Sequence, residues 1–427
     1  MSATTPDWMT TGAAHVWRPY CQMQTARPPQ PVVATHGSRL VLADGRELVD
    51  GLASWWTACH GYNHPHIAAA LHDQIERMPH VMFGGLAHEP AYSLARRLAD
   101  LLPGDLNHAF FAESGSVAVE IAMKMALQFH INRGVTGRTR FLSFRGGYHG
   151  DTLATMTVCD PEEGMHSLFT GVMPAQVIAD LPRDAAGEAA LDALLAQQGS
   201  EIAAILVEPL VQGAGGMLLH GPDTLRALRR LADAHGVLLI FDEIFTGFGR
   251  TGSLFAMQAA GIEPDIVTLS KALTGGSLPL SAAVASRRVF GAFLSEDPEA
   301  ALMHGPTYMA NPLACAAANA SLDLFEDGTW RSDVARISAA LATGLEPCRS
   351  APGVVDVRVL GAIGVVEFAS PVPVGDLCAR FVDEGVWIRP MGKVIYLTPA
   401  FSIPDPDLAL LTRAVRRIAG VETAAVD

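Results

Sequence analysis

Two charged residues, Asp242 and Lys271, each follow a run of apolar residues that is typical of a buried strand. Asp242 follows the run 236–241, and Lys271 follows the run 265–270. Ligand sites in open α/β sheets gather at the carboxyl ends of strands, so we expect both side chains to face one pocket. A lysine amine that forms a Schiff base and a carboxylate that keeps a pyridine nitrogen protonated are the pair that pyridoxal phosphate (PLP) requires. The alternative is a structural ion pair at the sheet edge. Taken without other motifs, the two residues slightly favour that alternative.

A second motif places small residues where a predicted helix begins. The run 109–111 indicates a strand, and Ser114, Gly115 and Ser116 lie between it and a helix predicted at 117–130. Backbone N–H groups and the dipole at a helix N-terminus attract a phosphate. The alternative is an ordinary N-cap by Ser114 or Ser116, and one helix start can serve both purposes.

A glycine-rich turn carries Tyr148 and His149. The string Arg-Gly-Gly-Tyr-His-Gly, residues 145–150, follows a third predicted strand at 140–144. The flanking glycines let the backbone approach closely and aim Tyr148 outward, where its ring can stack on a flat cofactor. Taken alone, the motif is more typical of a turn with one aromatic residue.

Two other motifs are better explained as loops. Residues 247–252 match the GxGxxG pattern of dinucleotide-binding proteins, but residues 242–246 separate them from the strand end. The acidic residues in that gap would repel a phosphate, so we do not favour NAD. His60, His64 and His66 lie close in sequence, but Gly, Asn and Pro between them indicate a loop. No carboxylate or thiol set completes a metal site there, and we expect no metal ion.

Apolar strands that alternate with helical segments dominate residues 66–315. Continuous apolar runs are typical of parallel strands that are covered on both faces. Strands are predicted at 109–111, 140–144, 202–207, 236–241 and 265–270, and helices at 117–130, 187–198, 222–235 and 253–261. The pattern predicts an α/β domain with a mostly parallel sheet covered by helices.

The two ends of the chain differ from this middle part. Residues 1–65 are rich in loops and aromatic side chains, with short strands predicted at 39–42 and 47–50. Beyond 315, the sequence predicts helices at 316–325 and 405–420 and strands at 355–360, 362–368, 386–389 and 394–397. We therefore expect an N-terminal segment (1–65) that contributes to the small domain and the active site, a large domain (66–315) and a small α+β domain (316–427).

Composition favours a globular protein without a nucleic-acid role. Of the 427 residues 49% are hydrophobic and 17% charged, with a formal net charge of -14 and no long basic run. The six cysteines are scattered and form no CxxC pair, which is typical of reduced thiols. The first residues lack the regions of a secretory signal, and no apolar run approaches the length of a membrane span. We expect a cytoplasmic protein without a membrane partner.

Together these motifs resemble those of the class III (fold type I) aminotransferases, from about His15 to Ile403. The strings typical of the whole class are Glu-Ser-Gly-Ser (113–116), Gly-Tyr-His-Gly (147–150), Val-Glu-Pro (207–209), Asp-Glu-Ile (242–244), Gly-Phe-Gly-Arg-Thr-Gly (247–252) and Ser-Lys-Ala-Leu-Thr-Gly-Gly (270–276). Other strings resemble the biotin-pathway members of the class: Trp-Arg-Pro-Tyr (17–20), Ser-Trp-Trp (54–56), His-Val-Met-Phe-Gly-Gly-Leu (80–86), Met-His-Gly-Pro-Thr (303–307) and Gly-Val-Trp-Ile-Arg-Pro (385–390). Several such unusual strings in one chain make a specific signal.

The resemblance implies a PLP-dependent enzyme with a mostly parallel, seven-stranded type of sheet and a smaller α+β domain built from the two chain ends. It implies that Lys271 binds PLP as a Schiff base and then moves a proton, that Asp242 pairs with the ring nitrogen, and that Tyr148 acts beside them. Burial should lower the pKa of Lys271 toward the working pH. The other implied cofactor-binding residues are Ser114, Gly115, Ser116, His149, Glu208, Pro306 and Thr307. Pro306 and Thr307 should reach the phosphate of a neighbouring subunit, which implies a homodimer with shared active sites.

The biotin-pathway members imply a ping-pong transfer of the amino group of S-adenosylmethionine to 8-amino-7-oxononanoate. The implied substrate-binding residues are Tyr20, Trp55, Trp56, Tyr148, Asp151, Lys271, Gly305 and Arg389. Their chemistry agrees, because aromatic rings can wall an aliphatic chain or attract a sulfonium, and arginine can bind a carboxylate through two hydrogen bonds. Adjacent residues on a strand point to opposite faces, so we expect Trp55, rather than Trp56, to line the pocket.

Three alternatives stay open. The first is a class III aminotransferase for ornithine, γ-aminobutyrate or another ω-amine, and the second is an aminomutase or racemase on the same fold. The third is a non-catalytic binding or regulatory protein that has kept the fold. S-adenosylmethionine and lysine both remain candidate donors. Departures from the usual strings at Cys21, Glu113, Phe245 and Tyr308 bear only on the shape of the pocket.

Overall fold

The structure is a computed structural model that describes residues 5–162 and 166–421. The chain divides into two compact units. The small unit comprises the chain up to His64 and from Ser332 onward, and the large unit is Pro65–Arg331. Among the helices of the described residues, none is long and apolar enough to cross a bilayer.

Strands and helices alternate through most of the chain. The strands are β1 (Val32–His36), β2 (Arg39–Leu42), β3 (Glu47–Asp50), β4 (Leu106–Ala112), β5 (Arg140–Phe144), β6 (Val177–Ala179), β7 (Ile202–Val207), β8 (Val211–Gln212), β9 (Leu218–Leu219), β10 (Leu238–Asp242), β11 (Ile266–Leu269), β12 (Ser281–Ser286), β13 (Val354–Leu360), β14 (Ile363–Phe368), β15 (Val386–Trp387) and β16 (Val394–Leu397). The helices are α1 (Asp7–Gly12), α2 (Ala53–Trp56), α3 (Pro65–Arg77), α4 (Glu89–Leu101), α5 (Gly115–Asn132), α6 (Leu153–Thr157), α7 (Ala185–Gln198), α8 (Pro222–His235), α9 (Arg287–Gly291), α10 (Pro312–Glu326), α11 (Trp330–Leu345), α12 (Val374–Asp383) and α13 (Asp405–Ala419). Short 3-10 helices lie at Ala13–His15, Ser167–Phe169, Ala256–Ala259, Lys271–Thr274, Pro298–Ala300 and Glu346–Ser350.

The large unit is built on a seven-stranded sheet with the order β4-β12-β11-β10-β7-β5-β6. Strand β12 runs antiparallel to both of its neighbours, and the remaining neighbouring pairs are parallel. Every residue of β7, β10, β11 and β12 is buried, as expected where a sheet is covered on both faces. The predicted fold class, a mostly parallel sheet with helices in a large α/β unit, is confirmed.

Helix α5 packs deeply into the large unit. Its buried residues, which include Ile121, Met125 and Phe129, join one core with sheet residues such as Leu206 and Ile240. A helix that is apolar around most of its circumference needs such an enclosed position. Because α5 begins just after β4, its N-terminus is held at the end of the sheet.

Helix starts differ from the predicted ones where a capping residue decides them. Helix α5 starts at Gly115 rather than 117, and α10 starts at Pro312 rather than 316. In each case a side chain accepts a backbone hydrogen bond from the first turn, at Ser114 and at Asn311 respectively. The apolar periodicity marks only the part of a helix that faces the core, so it misses these first residues.

The helix predicted at 253–261 is wrong. The structure has only a 3-10 turn there, Ala256–Ala259. Phe255 is extended, with a φ of -123° and a ψ of 139°, and Gly261 has a φ of 61°. A right-handed helix cannot pass through either conformation, so the turn is confined between them.

Strand pairing joins the two ends of the chain in the small unit. Strand β15 pairs in parallel with β3, so that Val386 aligns with Val49 and Trp387 with Asp50. Strands β1 and β2 complete this four-stranded sheet, and β13, β14 and β16 form an antiparallel sheet of their own. The expected smaller α+β unit built from both chain ends is therefore confirmed.

A buried carboxylate ties α13 to the start of β2, and we expect it to stabilise the small unit. Asp407 is 5% exposed, accepts a hydrogen bond from Ser38 Oγ at 2.8 Å and forms an ion pair with Arg39. Asp407→Asn should lower the free energy of unfolding by about 1–3 kcal/mol, because loss of the buried charge leaves its partners poorly compensated. Urea denaturation measures the change.

The matched control is Asp405→Asn in the same helical turn. Asp405 lies 2.6 Å from Arg336, but its side chain is 77% exposed. An exposed ion pair contributes at most about 1 kcal/mol, so this variant should unfold at nearly the same urea concentration as the unaltered protein. If both variants lost the same free energy of unfolding, the burial of Asp407 would not make its ion pair more stabilising than an exposed one.

Candidate active site

The parallel pairing of β10 with β11 brings Asp242 and Lys271 to the same edge of the sheet. Asp242 is the last residue of β10 and lies opposite Thr268 of β11, and Lys271 follows just beyond the end of β11. Neighbouring strands are about 4.8 Å apart, so residues at these two ends share one neighbourhood. Asp242 is 3% exposed, which puts a carboxylate in the interior at this edge.

Lys271 carries an amine whose pKa is lowered to about 8, chiefly because it is buried. The negative charges of Asp242, Glu208 and Asp151 oppose that lowering in part. The Lys271 Nζ atom lies 5.9 Å from the centre of the Phe245 ring. The φ of Lys271 is 49°, in the left-handed region that non-glycine residues adopt mainly where the surroundings enforce it. The expected lowering of the lysine pKa agrees with this geometry.

Three groups fix the Asp242 carboxylate. Its Oδ2 atom lies 2.8 Å from His149 Nδ1, and its Oδ1 atom accepts hydrogen bonds from the Thr268 hydroxyl and the Ile244 N–H, both at 3.2 Å. These contacts set the direction in which the carboxylate faces. His149, a predicted cofactor-binding residue, is thus placed against Asp242.

The N-terminus of α5 is in contact with the turn that follows β5. Ser116 Oγ accepts a hydrogen bond from the Asp151 N–H at 3.1 Å. Gly150 has a φ of 130°, and a Cβ at this position would lie 2.3 Å from Ser116 Oγ and 2.9 Å from Ser116 Cα. Only glycine permits this approach. The first N–H groups of a helix have no partner inside it, so Gly115 and Ser116 stand where an anion is stabilised.

Tyr148 is held by three contacts within the large unit. Its hydroxyl donates to Asp151 Oδ1 at 2.8 Å, its N–H donates to Glu208 Oε2 at 3.0 Å, and its ring stacks on that of His166 with centroids 6.0 Å apart. Glu208 also accepts a hydrogen bond from the Gly213 N–H at 2.9 Å, and burial raises its pKa to about 7. Glu208 therefore anchors the loop that carries Tyr148.

In the small unit, Tyr20, Trp55 and Arg389 form an aromatic cluster with one cation. The Trp55 ring lies 6.2 Å from the Tyr20 ring and 5.8 Å from the Arg389 Cζ atom. Trp55 follows β3 and Arg389 follows β15, and the parallel pairing of these strands places their ends side by side. Trp55 is 39% exposed, whereas Trp56 is 7% exposed and lies 6.2 Å from the Tyr396 ring.

The expectation that Trp55 and Trp56 lie on a strand is wrong. Both belong to the short element α2, where Ser54 and Trp55 have left-handed backbone angles. Asp50 ends β3 and accepts hydrogen bonds from the N–H groups of Leu52 and Ser54, at 2.8 and 2.9 Å. These bonds turn the chain out of the strand direction. The two indole rings nevertheless lie in different surroundings, one exposed and one buried.

Residues 305–307 follow a segment that is fixed to α5. The Lys124 ammonium donates to the Met303 carbonyl at 2.8 Å. Gly305 and Thr307 are exposed, and Pro306 is half-buried. Their contact with the phosphate of a second subunit stays a prediction.

Two neighbours of the predicted residues were not foreseen from the sequence. Asp50 ends a strand just as Asp242 does, so the same rule would have singled it out. His166 lies against Tyr148 only because the chain folds back, and no sequence pattern signals that contact.

Residues 247–252 have loop structure, as interpreted, and so do His60 and His64, but His66 lies in the first turn of α3. A Cβ at Gly247 would lie 2.8 Å from the Glu243 carbonyl oxygen, so the glycines of 247–252 serve a tight turn. His66 lies 2.7 Å from Asp323. Within residues 5–162 and 166–421, no group of three His, Cys, Asp or Glu side chains is arranged to hold a metal ion.

Over nearly its whole length the chain resembles proteins of one enzyme family. The model of the family "Aminotransferase class-III" matches residues 21–419. The chain belongs to the class-III aminotransferases. It is 48% identical to an adenosylmethionine-8-amino-7-oxononanoate aminotransferase of Mycobacterium leprae, over 98% of both chains.

Solved structures of class-III relatives have the same fold. An adenosylmethionine-8-amino-7-oxononanoate aminotransferase of Methanocaldococcus jannaschii matches with a TM-score of 0.92 and 29% identity, over 97% of this chain and 99% of that one. An amine transaminase from an uncultivated Pseudomonas species, solved in a PLP-bound form, matches with a TM-score of 0.86 and 31% identity, over 94% and 97%. The chain is thus a PLP-dependent transaminase.

The residues at the strand ends fit the polar groups of PLP. The amine of Lys271 suits the aldehyde, the buried Asp242 carboxylate suits the ring nitrogen, and the N-terminus of α5 suits the phosphate. A Cβ at Gly150 would lie 2.3 Å from Ser116 Oγ, so only a glycine turn can approach that N-terminus so closely. The large unit therefore offers a group of suitable chemistry for each of these three parts of the cofactor.

The lowered pKa of Lys271 predicts how cofactor uptake depends on pH. Only the neutral amine can attack an aldehyde, and with a pKa of about 8 the neutral fraction rises as the pH rises through about 8. The rate constant for PLP uptake by the cofactor-free protein should rise up to that pH and level off above it, which stopped-flow absorbance measures. Nα-acetyl-lysine amide in solution, whose single amine is the ε-amine, is the control, and its rate should rise until about pH 10. The same late rise in the protein would contradict the burial of the amine.

Proposed function

We propose that this chain transfers the amino group of S-adenosylmethionine to 8-amino-7-oxononanoate, giving 7,8-diaminononanoate in the biotin pathway. The observation that carries the proposal is the match to the Mycobacterium leprae relative that is named for this activity, at 48% identity over 98% of both chains. The site of Lys271 and Asp242 supports the PLP-dependent part. The cluster around Arg389 supports the choice of substrates.

Each polar group of PLP has an assigned partner in this proposal. Lys271 would hold the aldehyde carbon, Asp242 would pair with the ring nitrogen and keep it protonated, and the start of α5 would receive the phosphate. When bound, PLP supplies an electron sink that stabilises negative charge on the substrate carbon. The residues that would hold the phosphate are Ser114, Gly115 and Ser116, and Tyr148, His149 and Glu208 are the further residues proposed to hold the cofactor.

Lys271 is the group that moves the proton. With a pKa lowered to about 8, its amine can both accept and donate a proton near neutral pH. His149 holds the Asp242 carboxylate at 2.8 Å, so the partner of the ring nitrogen cannot rotate away. The burial of Asp242 keeps water from competing for that charge.

The small-unit cluster suits both substrates. Arg389 can bind a carboxylate through two parallel hydrogen bonds, which the keto acid and the amino acid both offer. The exposed face of Trp55 can line an aliphatic chain, and the rings of Trp55 and Tyr20 attract a sulfonium cation. One cluster can therefore serve the two substrates in turn, as a ping-pong reaction requires. Asp151 and Gly305 of the large unit stay substrate-binding residues that the resemblance implies, and so does Trp56, although it is 7% exposed and lies beside Tyr396.

A homodimer is part of the proposal. Pro306 and Thr307 of each chain would reach the phosphate bound by the partner subunit. Support comes from the position of residues 305–307 at the surface, directly after a segment fixed by Lys124. A cytoplasmic location is also proposed, and the six free cysteines are its support.

The test of the proposal supplies one acceptor with several donors. The PLP-loaded protein is incubated with 8-amino-7-oxononanoate and S-adenosylmethionine, lysine, glutamate or a simple ω-amine, and 7,8-diaminononanoate is measured by mass spectrometry. We expect product with S-adenosylmethionine. Product formed with lysine but not with S-adenosylmethionine would show that lysine is the amino donor and that 8-amino-7-oxononanoate is still the acceptor. A parallel incubation replaces the acceptor with α-ketoglutarate. Transfer from ω-amines to α-ketoglutarate, with no 7,8-diaminononanoate from any donor, would contradict the proposal and favour an activity like that of the amine transaminase that shares the fold.

Lys271→Ala decides the role of the lysine in the same assay. Turnover should fall by at least about a thousandfold, and the absorbance of the Schiff base should disappear, because no other amine can take the place of Lys271. Lys393→Ala is the matched control, since Lys393 is an exposed lysine of the small unit. Turnover retained in Lys271→Ala would refute the assignment.

A further inference from the structure

The turn that carries Trp55 has an unusual backbone. Four consecutive residues, Ala53–Trp56, have φ angles of 46°, 47°, 53° and 74°. Left-handed helical angles crowd the Cβ of an L-residue against the next carbonyl, so non-glycine residues adopt them singly rather than in runs. Such strain persists only where the surroundings enforce it, and it is concentrated at functional sites.

Asp50 and Tyr62 enforce the turn. Asp50 is 2% exposed, and its carboxylate accepts hydrogen bonds from the Leu52 N–H, the Ser54 N–H and the Tyr62 hydroxyl, at 2.8, 2.9 and 2.5 Å. The Tyr62 hydroxyl also lies 2.5 Å from Ser54 Oγ. The carboxylate thus binds two N–H groups of the turn, and the phenol joins that carboxylate to the Ser54 side chain. Hydrogen bonds to a buried charge are the strongest that a neutral donor can make.

The base of the turn is Gly51, which is hydrogen-bonded to the last residue of β15 and to the residue after β16. The Gly51 N–H donates to the Trp387 carbonyl at 3.0 Å, and the Gly51 carbonyl accepts from the Thr398 N–H at 2.7 Å. The base of the turn is therefore fixed by backbone hydrogen bonds, and the positive φ angles of residues 53–56 set the course of the chain beyond it. That course decides whether the Trp55 ring lies beside Arg389, as it does at 5.8 Å.

We propose that Asp50 and Tyr62 are positioning residues, which hold residues 53–56 left-handed and thereby hold Trp55 in the orientation that binds the long-chain substrate. The inference rests on the proposed function only where it assigns the aliphatic substrate to Trp55. Neither Asp50 nor Tyr62 has to touch the substrate. A purely stabilising hydrogen-bond network is the competing explanation.

Fluorine NMR tests the positioning without any substrate. The six tryptophans are replaced biosynthetically by 5-fluorotryptophan, and the Trp55 resonance is assigned by its loss in Trp55→Phe. In Tyr62→Phe the ring stays and only the hydroxyl is lost. We expect the Trp55 resonance to shift or broaden, while those of Trp8 and Trp330 stay in place.

Steady-state kinetics of Tyr62→Phe give the second readout. The KM for 8-amino-7-oxononanoate should rise about tenfold and kcat should change less than about threefold, because loss of a hydrogen bond to a buried charge misplaces a binding ring but leaves Lys271 in place. Asp50→Asn should show the same split. Asp44→Asn is its control, a carboxylate of the neighbouring turn that binds Arg46 and has no part in the network.

A rescue separates positioning from stability. Glycine adopts left-handed angles without penalty, so Ala53→Gly should favour the turn even when the hydroxyl of Tyr62 is absent. The double variant should regain the Trp55 resonance and bring the KM to within about threefold of the unaltered protein. Should Tyr62→Phe alone fail to fold, Ser54→Ala removes only the exposed hydroxyl bonded to Tyr62 and gives the same test.

The outcomes decide between the explanations. A lowered melting temperature with unchanged Trp55 resonance and unchanged KM would overturn the inference and leave a stabilising network. Failure of the unaltered protein to use 8-amino-7-oxononanoate would end the proposed function instead, and the fluorine spectra of Tyr62→Phe and of the double variant would still decide whether Asp50 and Tyr62 position Trp55.

Discussion

The parallel pairing of β10 with β11 is the constraint on which the chemistry of this transaminase depends. It sets a buried carboxylate and a buried amine at neighbouring strand ends, where Asp242 lies opposite Thr268 and Lys271 follows β11. Burial lowers the pKa of the amine to about 8, and His149 fixes the carboxylate at 2.8 Å. A charge in a protein interior needs a partner, and in the proposed site the protonated ring nitrogen of PLP would pair with Asp242. The rest of the large unit keeps these two ends in register.

The sequence predicts this arrangement well because buried parallel strands leave a direct signal. Apolar runs gave β5 and β7 with the same bounds as the structure. Two other runs, 236–241 and 265–270, are followed by Asp242 and Lys271. The start of α5 was recognisable from Ser114, Gly115 and Ser116, since small residues after a strand indicate a capped helix. Strand ends that meet in parallel sheets make such residues neighbours, so local patterns are enough.

The substrate side of the site is less accessible to sequence reasoning. The left-handed turn at residues 53–56 is enforced by the buried Asp50 and by Tyr62, and no propensity favours it. Tyr396 of β16 lies beside Trp56 because of how the strand packs. The sequence pattern identifies Tyr396 only as an apolar position of a strand. The helix predicted at 253–261 was wrong for a related reason, because the extended Phe255 and the positive φ of Gly261 override a helical pattern. In each case tertiary contacts decide the backbone.

A crystal structure of the protein with PLP bound tests the central claim most directly. The account predicts electron density that is continuous from the Lys271 Nζ atom into a flat ring, with an Asp242 oxygen within hydrogen-bonding distance of the ring nitrogen and the phosphate at the start of α5. Density for the cofactor at another place, or a ring whose nitrogen faces away from Asp242, would contradict it.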